Sequence, residues 1–160
     1  MKSIATILFF LNSVFAFSQT TKIIKILNKE IAKEIIAQKD TINYFGEKFD
    51  VIKNFSLENN VLSITLKRKS YYGEDFYNEI RQVELCKIKR IVKDVNIIFE
   101  TEPNAVKITQ INAHGEKSEK TTDMFFLQMS SEKQNEYVAD DLLVAFRKAG
   151  YTIEKGFWYD

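Results

Sequence analysis

The residues that could do chemistry are few and far apart. The chain holds one histidine, His114, and one cysteine, Cys86. His114 precedes Gly115 in a turn-like stretch, and a metal site needs three or four ligands at workable spacing, so no metal or other cofactor is expected. No serine sits in a G-x-S-x-G elbow, and the isolated glycines make no phosphate-cradling loop. Paired carboxylates are the remaining catalytic option, as in glycosidases, where two acidic groups face each other across a cleft. Glu74-Asp75, Glu100 with Glu102, and Asp140-Asp141 are available, each in a stretch that solvent exposure explains. A carboxylate-dependent hydrolase of envelope or extracellular polymers is therefore the alternative reading, and a non-catalytic binding protein the first.

Two sets of residues carry the binding reading. Lys67, Arg68, Lys69, Lys87, Lys89 and Arg90 concentrate positive charge, and convergence on one side of a sheet would attract an anionic ligand. Tyr71, Tyr72, Phe76 and Tyr77 crowd a loop-like stretch, and Trp158 lies in an aromatic tail. Such rings anchor protein or sugar recognition when exposed and complete a core when not. The expected partner is a protein or an anionic envelope component.

The N-terminus gives an address. Met1-Lys2 is a basic start, Ile4 to Leu11 is almost wholly apolar, and Ala16-Phe17-Ser18 ends the stretch with a small-residue pattern. That layout predicts a signal peptide over 1–18, with the mature chain starting at Gln19 in a periplasmic or extracellular compartment. The apolar run is shorter than the about 20 residues a membrane span needs. Residues 19–160 then form one domain. Lys2 is the only charge in the signal, so the remainder carries 22 basic and 22 acidic residues. A neutral total argues against nucleic-acid binding, which needs a strong positive field. Cys86 has no partner for an internal disulfide, and its strand-like run predicts a buried thiol, with an intermolecular bridge as the alternative. Asn54-Phe55-Ser56 is a formal glycosylation sequon.

These residues must be positioned by an α+β fold. Ile23, Leu27, Ile31 and Ile35 recur at every fourth position and predict a helix over 22–39, with lysines and glutamates on its solvent face. Alternating runs joined by Glu58-Asn59-Asn60 predict a β-hairpin. Further strand signal fills 80–92, broken near Cys86-Lys87, then 95–101, 105–113 and 124–129, with turns at Glu102-Pro103-Asn104 and from His114 to Lys120. Ser131 and Gln134 match a capping box for a helix over 132–149, which Gly150 stops. The expectation is an antiparallel sheet or partly closed barrel of about six or seven strands between two helices. In element order, Val83-Glu84-Leu85 through Phe99 and the closing helix 132–149 resemble a pleckstrin-homology or GRAM-like domain, a strand meander closed by a C-terminal helix. Two departures stand out: the helix 22–39 is extra, and the hairpin turn at Glu58-Asn59-Asn60 lacks the lysines with which phosphoinositide-binding members grip phosphate. A cystatin-like or lipocalin-like helix-on-sheet fold competes with it, and a hollow barrel would suit a lipophilic carrier.

Overall fold

The computed structural model describes residues 2–40, 42–70 and 75–159, with side chains from Thr20 onward. Helix α1 runs Lys2–Ala37, and strands β1 (Phe49–Glu58), β2 (Val61–Lys69) and β3 (Phe76–Glu84) follow as a meander. A single 3-10 turn, Leu85–Lys87, breaks the chain at the interruption expected there. It leads to β4 (Ile88–Lys93), β5 (Ile97–Thr101), β6 (Val106–Ile111), β7 (Lys117–Thr122) and β8 (Met124–Phe126). Helix α2 (Tyr137–Lys148) and strand β9 (Glu154–Trp158) complete the order. The class is α+β, but the nine strands among the described residues exceed the six or seven expected. They form two sheets, β1-β2-β3-β6-β7 and β8-β5-β4-β9, and neither closes into a barrel. Among the described residues no helix is long and apolar enough to cross a membrane.

The β1–β2 hairpin turns as its sequence demands. Asn59 and Asn60 have φ of 51° and 63°, the paired left-handed geometry that asparagine tolerates and that matches strand twist. Strand β7 escapes pattern reading because Lys117–Thr122 is exposed on both faces and carries no apolar alternation. It is a charged edge strand, a form that resists pairing with other chains. Strand β9 uses part of the aromatic tail and pairs in parallel with β4, Arg90 opposite Glu154 and Lys93 opposite Trp158.

Ile23, Leu27 and Ile31 of α1, Leu62, Ile64 and Leu66 of β2, Ile91 and Phe99 of the smaller sheet, and Leu142 and Phe146 of α2 form the core. The other flank of α1 differs from expectation. Glu30 and Glu34 are buried at 5% and 2% exposure, although their spacing among lysines looked like a solvated face. Ser130 and Ser131 each give a backbone N–H and a hydroxyl to the Glu34 carboxylate at 2.7–3.0 Å, and the Tyr44 hydroxyl donates to it at 2.9 Å. Ser131 is thereby committed to α1 and caps nothing, which is why α2 starts at Tyr137 and not at residue 132. Its far end behaves as expected. Gly150 has φ of 87°, Tyr151 N–H donates to the Phe146 carbonyl and Gly150 N–H to that of Arg147, a Schellman stop. Cys86 sits in the 3-10 turn and is exposed, because that turn rotates it off the strand face it would otherwise occupy.

Candidate functional site

The larger sheet alternates strictly along β2: Leu62, Ile64, Leu66 and Arg68 point inward, so Lys67 and Lys69 point out. Phe76 of β3 pairs with Lys69 of β2, and the Lys67 ammonium lies 4.8 Å from the centre of the Phe76 ring. Lys48 enters from the segment before β1, and Gln38 and Lys39 follow the end of α1. Together these side chains line a groove of about 390 Å³. Among the described residues, none of Lys39, Lys48, Lys67 and Lys69 forms an ion pair, although Asp50 also lines the groove. Gln38 is buried; its Oε1 accepts the Phe49 N–H at 3.0 Å and its Nε2 has no acceptor. A buried amide donor without a partner is costly, and this one is sealed beneath the groove floor.

Phe76 also borders a second concavity, a cleft of about 630 Å³ between the start of β3 and the β6–β7 turn. Tyr77, the next residue, points to the opposite face of β3 and lines that cleft with Gln110, Asn112, His114 and Ser118. Asn112 builds the turn: its Oδ1 accepts N–H groups of His114 and Glu116, and Gly115 takes φ of 81°. Beside Gln110 and Tyr77 lies a buried ionic network. Glu79 accepts from Arg81 at 2.6 and 2.8 Å and from Gln110 at 2.9 Å. Arg68 binds Gln128 and pairs with Glu47. Burial opposes the charge on Glu79, yet Arg81, Gln110 and Arg68 together hold its pKa below the ordinary carboxylate value. Burial, reinforced by Glu79, pushes the Tyr77 hydroxyl up, so it stays protonated as a donor.

The residues singled out from sequence are thus distributed as follows. Lys67, Lys69 and Phe76 come together in the groove, and Tyr77 faces the cleft. Arg68 is only 6% exposed and turned inward, away from its two lysine neighbours. Lys87 and Lys89 share Glu102, and Arg90 pairs with Glu100, at the other sheet and already neutralised. The two lysines pull the Glu102 pKa down to about 2. Trp158 is half-buried against the core with Lys93 over its ring, while Phe157 and Tyr159 stack outside at 5.2 Å. Tyr71, Tyr72 and Glu74 lie outside the described residues. Asp140 binds Lys155, and His114 stands in an exposed turn. No cluster of histidine, cysteine, aspartate or glutamate arranged to hold a metal occurs among the described residues. Gln38, Lys39 and Lys48 carried no signal in sequence, since only the return of α1 beside β1 brings them to β2.

Comparison with protein-family models, with curated proteins and with solved structures finds no match to this chain.

Proposed function

We propose that this is an exported, non-catalytic binding protein that holds an anionic component of the cell envelope or its surroundings in the lysine groove. The observation that carries this reading is the gathering of Lys39, Lys48, Lys67 and Lys69 around one groove, none of them ion-paired among the described residues. Elsewhere the fold supplies partners for the cations it brings together: Arg68 and Arg81 in the buried network, Lys87, Lys89 and Arg90 on the smaller sheet. Mutually repelling ammonium groups raise the local potential, and a bound anion offsets that repulsion while gaining a steered approach. The basic and apolar pattern of residues 1–18 supports export.

The test is retention on immobilised anionic polymers and anionic vesicles across a salt series. Lys67→Glu with Lys69→Glu should weaken binding by about tenfold or more, and salt should weaken the wild type. Lys87→Glu with Lys89→Glu should leave retention within about twofold, since those lysines are already paired. Unchanged retention of the groove variant would remove the proposal. Sequencing the N-terminus of protein recovered outside the cytoplasm tests export, with Gln19 the expected first residue.

A further inference from the structure

The segment joining Lys39 to Lys48, two residues of the groove wall, arranges its side chains in the reverse of what water alone would select. Tyr44, which carries a hydroxyl, is half-buried; that hydroxyl donates to Glu34 at 2.9 Å and lies 3.2 Å from the Glu47 carbonyl. Ile42 and Phe45, hydrocarbon throughout, are 82% and 93% exposed, the two highest values among the large apolar side chains described. Ile36, near the end of α1, is exposed as well. The segment is braced. Asp40 accepts the N–H groups of Ile42 and Asn43 at 3.1 Å and the Asn43 side-chain amide at 2.8 Å, and Tyr44 N–H donates to the Asp40 carbonyl. Those bonds tie Ile42 to the neighbour of Lys39, and Phe45, through Tyr44, to the neighbour of Lys48. Two apolar tips held out into water at the rim of a basic groove mark a surface made to be covered.

We infer that the anionic component is the headgroup layer of an anionic lipid bilayer, with Ile42 and Phe45 inserted between lipids and Lys39, Lys48, Lys67 and Lys69 set against their phosphates. This rests on the groove reading above and names its ligand. A bilayer surface asks for both charge and apolar area, and each has its residues here. Lysine ammonium groups are drawn to an anionic surface, and their methylene stems tolerate the apolar boundary beneath it. Exposed apolar side chains gain by sinking about 5–10 Å into the boundary between headgroups and acyl chains. Ile35 and Phe76 continue that apolar surface along the groove wall. The acids of this region do not cancel the field. Glu47 pairs with buried Arg68, which leaves four ammonium groups against the carboxylates of Asp40 and Asp50. A simple anion or a soluble acidic polymer would use the lysines and leave Ile42 and Phe45 in water. A docked protein would need a pocket shaped for each tip, whereas a fluid bilayer supplies one wherever the tips land.

Flotation of the protein, as producing cells process it, with vesicles of phosphatidylglycerol or of phosphatidylcholine tests this, beside retention on immobilised polyglutamate. The protein should float with phosphatidylglycerol, lose that binding as salt rises, and bind phosphatidylcholine at least about tenfold more weakly. Ile42→Ser with Phe45→Ser should weaken flotation by about tenfold or more and leave polyglutamate retention within about twofold. Lys67→Glu with Lys69→Glu should weaken both. Phe45→Trp should shift fluorescence to the blue on adding phosphatidylglycerol, beyond any change in the wild type, as a ring leaving water does. Both tips are exposed, so these variants should fold, and circular dichroism checks that they do. A serine variant that floats like the wild type overturns the bilayer and keeps the anion groove, as does polyglutamate retention without flotation. Equal loss of flotation and polyglutamate retention in the serine variant overturns the bilayer in favour of an acidic polypeptide. Full flotation of the glutamate variant overturns the groove reading as well. No binding to any anionic probe overturns both.

Discussion

Among the described residues Glu34 is the most heavily committed side chain, and removing its carboxylate should nearly halve the stability of the domain. It is 2% exposed on α1 and accepts from two backbone N–H groups and three hydroxyls, tying the 130–131 segment and the Tyr44 loop to one helix. In Glu34→Ala the three hydroxyls can rotate toward water, because Ser130, Ser131 and Tyr44 are not fully buried. The two backbone N–H groups have no such freedom. At about 1–3 kcal/mol for each stranded donor, plus the lost methylenes, the cost comes to about 3–5 kcal/mol. Against a domain stability of about 5–15 kcal/mol, that lowers the melting temperature by roughly 10 °C or more and the urea midpoint by about 2 M. Glu34→Gln separates packing from charge: it preserves the volume but turns an NH2 toward donors, so its cost should approach that of alanine. Urea unfolding followed by tryptophan fluorescence and by circular dichroism gives both numbers. A loss under about 1 kcal/mol for Glu34→Ala, the figure for an exposed ion pair, would refute the reasoning.

The other expectations follow from the same inventory. Glu79 has a folded pKa below its ordinary value of 4.5, so its contribution is complete above pH 4.5 and is lost as pH falls through the folded value. Glu79→Gln should flatten that acid limb in a pH series of urea midpoints and cost about 3–5 kcal/mol at neutral pH, since it strands buried Arg81; an unchanged acid limb contradicts it. Burial and the Glu34 carboxylate push the Tyr44 hydroxyl up to about 12 from 10.0, so the stability it lends is full below pH 10 and fades as pH rises toward 12. Tyr44→Phe should remove one of the late tyrosines from an ultraviolet alkaline titration, and a titration identical to wild type would disprove the assignment. Gly156→Ala would set a methyl 2.6 Å from Arg90 Cδ and Val92 Cγ1, so it should loosen β9 at a cost of about 1–3 kcal/mol, read from its melting temperature. Cys86, being exposed, should react with one equivalent of maleimide in the native protein; a thiol reactive only in denaturant would contradict its placement.

What sequence made legible was what repeats or what backbone geometry forces. The Ile23, Leu27, Ile31 stripe, the Asn59-Asn60 turn and the Gly150 stop each follow from one local rule. What it hid were contacts between distant segments. Glu30 and Glu34 have the spacing of surface partners for Lys29 and Lys33, and only the arrival of residues 130–137 turns them into buried acceptors. Strand β7 has no apolar face to announce it, because as an edge it needs none. The basic run 67–69 was visible, but alternation sends Arg68 inward, and the lysines that complete the groove come from two other segments.

The composition of the larger sheet's inner face explains why a cleft exists at all. Its cross-strand rows run Leu62 with Val83, Ile64 with Arg81 and Ile108, Leu66 with Glu79 and Gln110, then Arg68 with Tyr77. Each step along β2 of two residues, about 7 Å, makes the row more polar. The first row is core. The last cannot be, because an arginine and a tyrosine hydroxyl packed under apolar layers would lose hydrogen bonds to water. The Glu79–Arg81 pair satisfies the intermediate rows internally, which lets the core stop without stranding a charge. Beyond it the hydrophobic effect no longer drives closure, and the sheet is left with a wet, polar opening beside Tyr77. Replacing Arg68, Glu79 and Arg81 together by apolar residues of similar volume would extend the core, and such swaps are neutral or stabilising in other buried networks. Here they should raise the melting temperature, because the core would then extend through the rows that now stay polar. A triple variant that melts below the wild type would show that the network contributes more stability than the apolar core that replaces it.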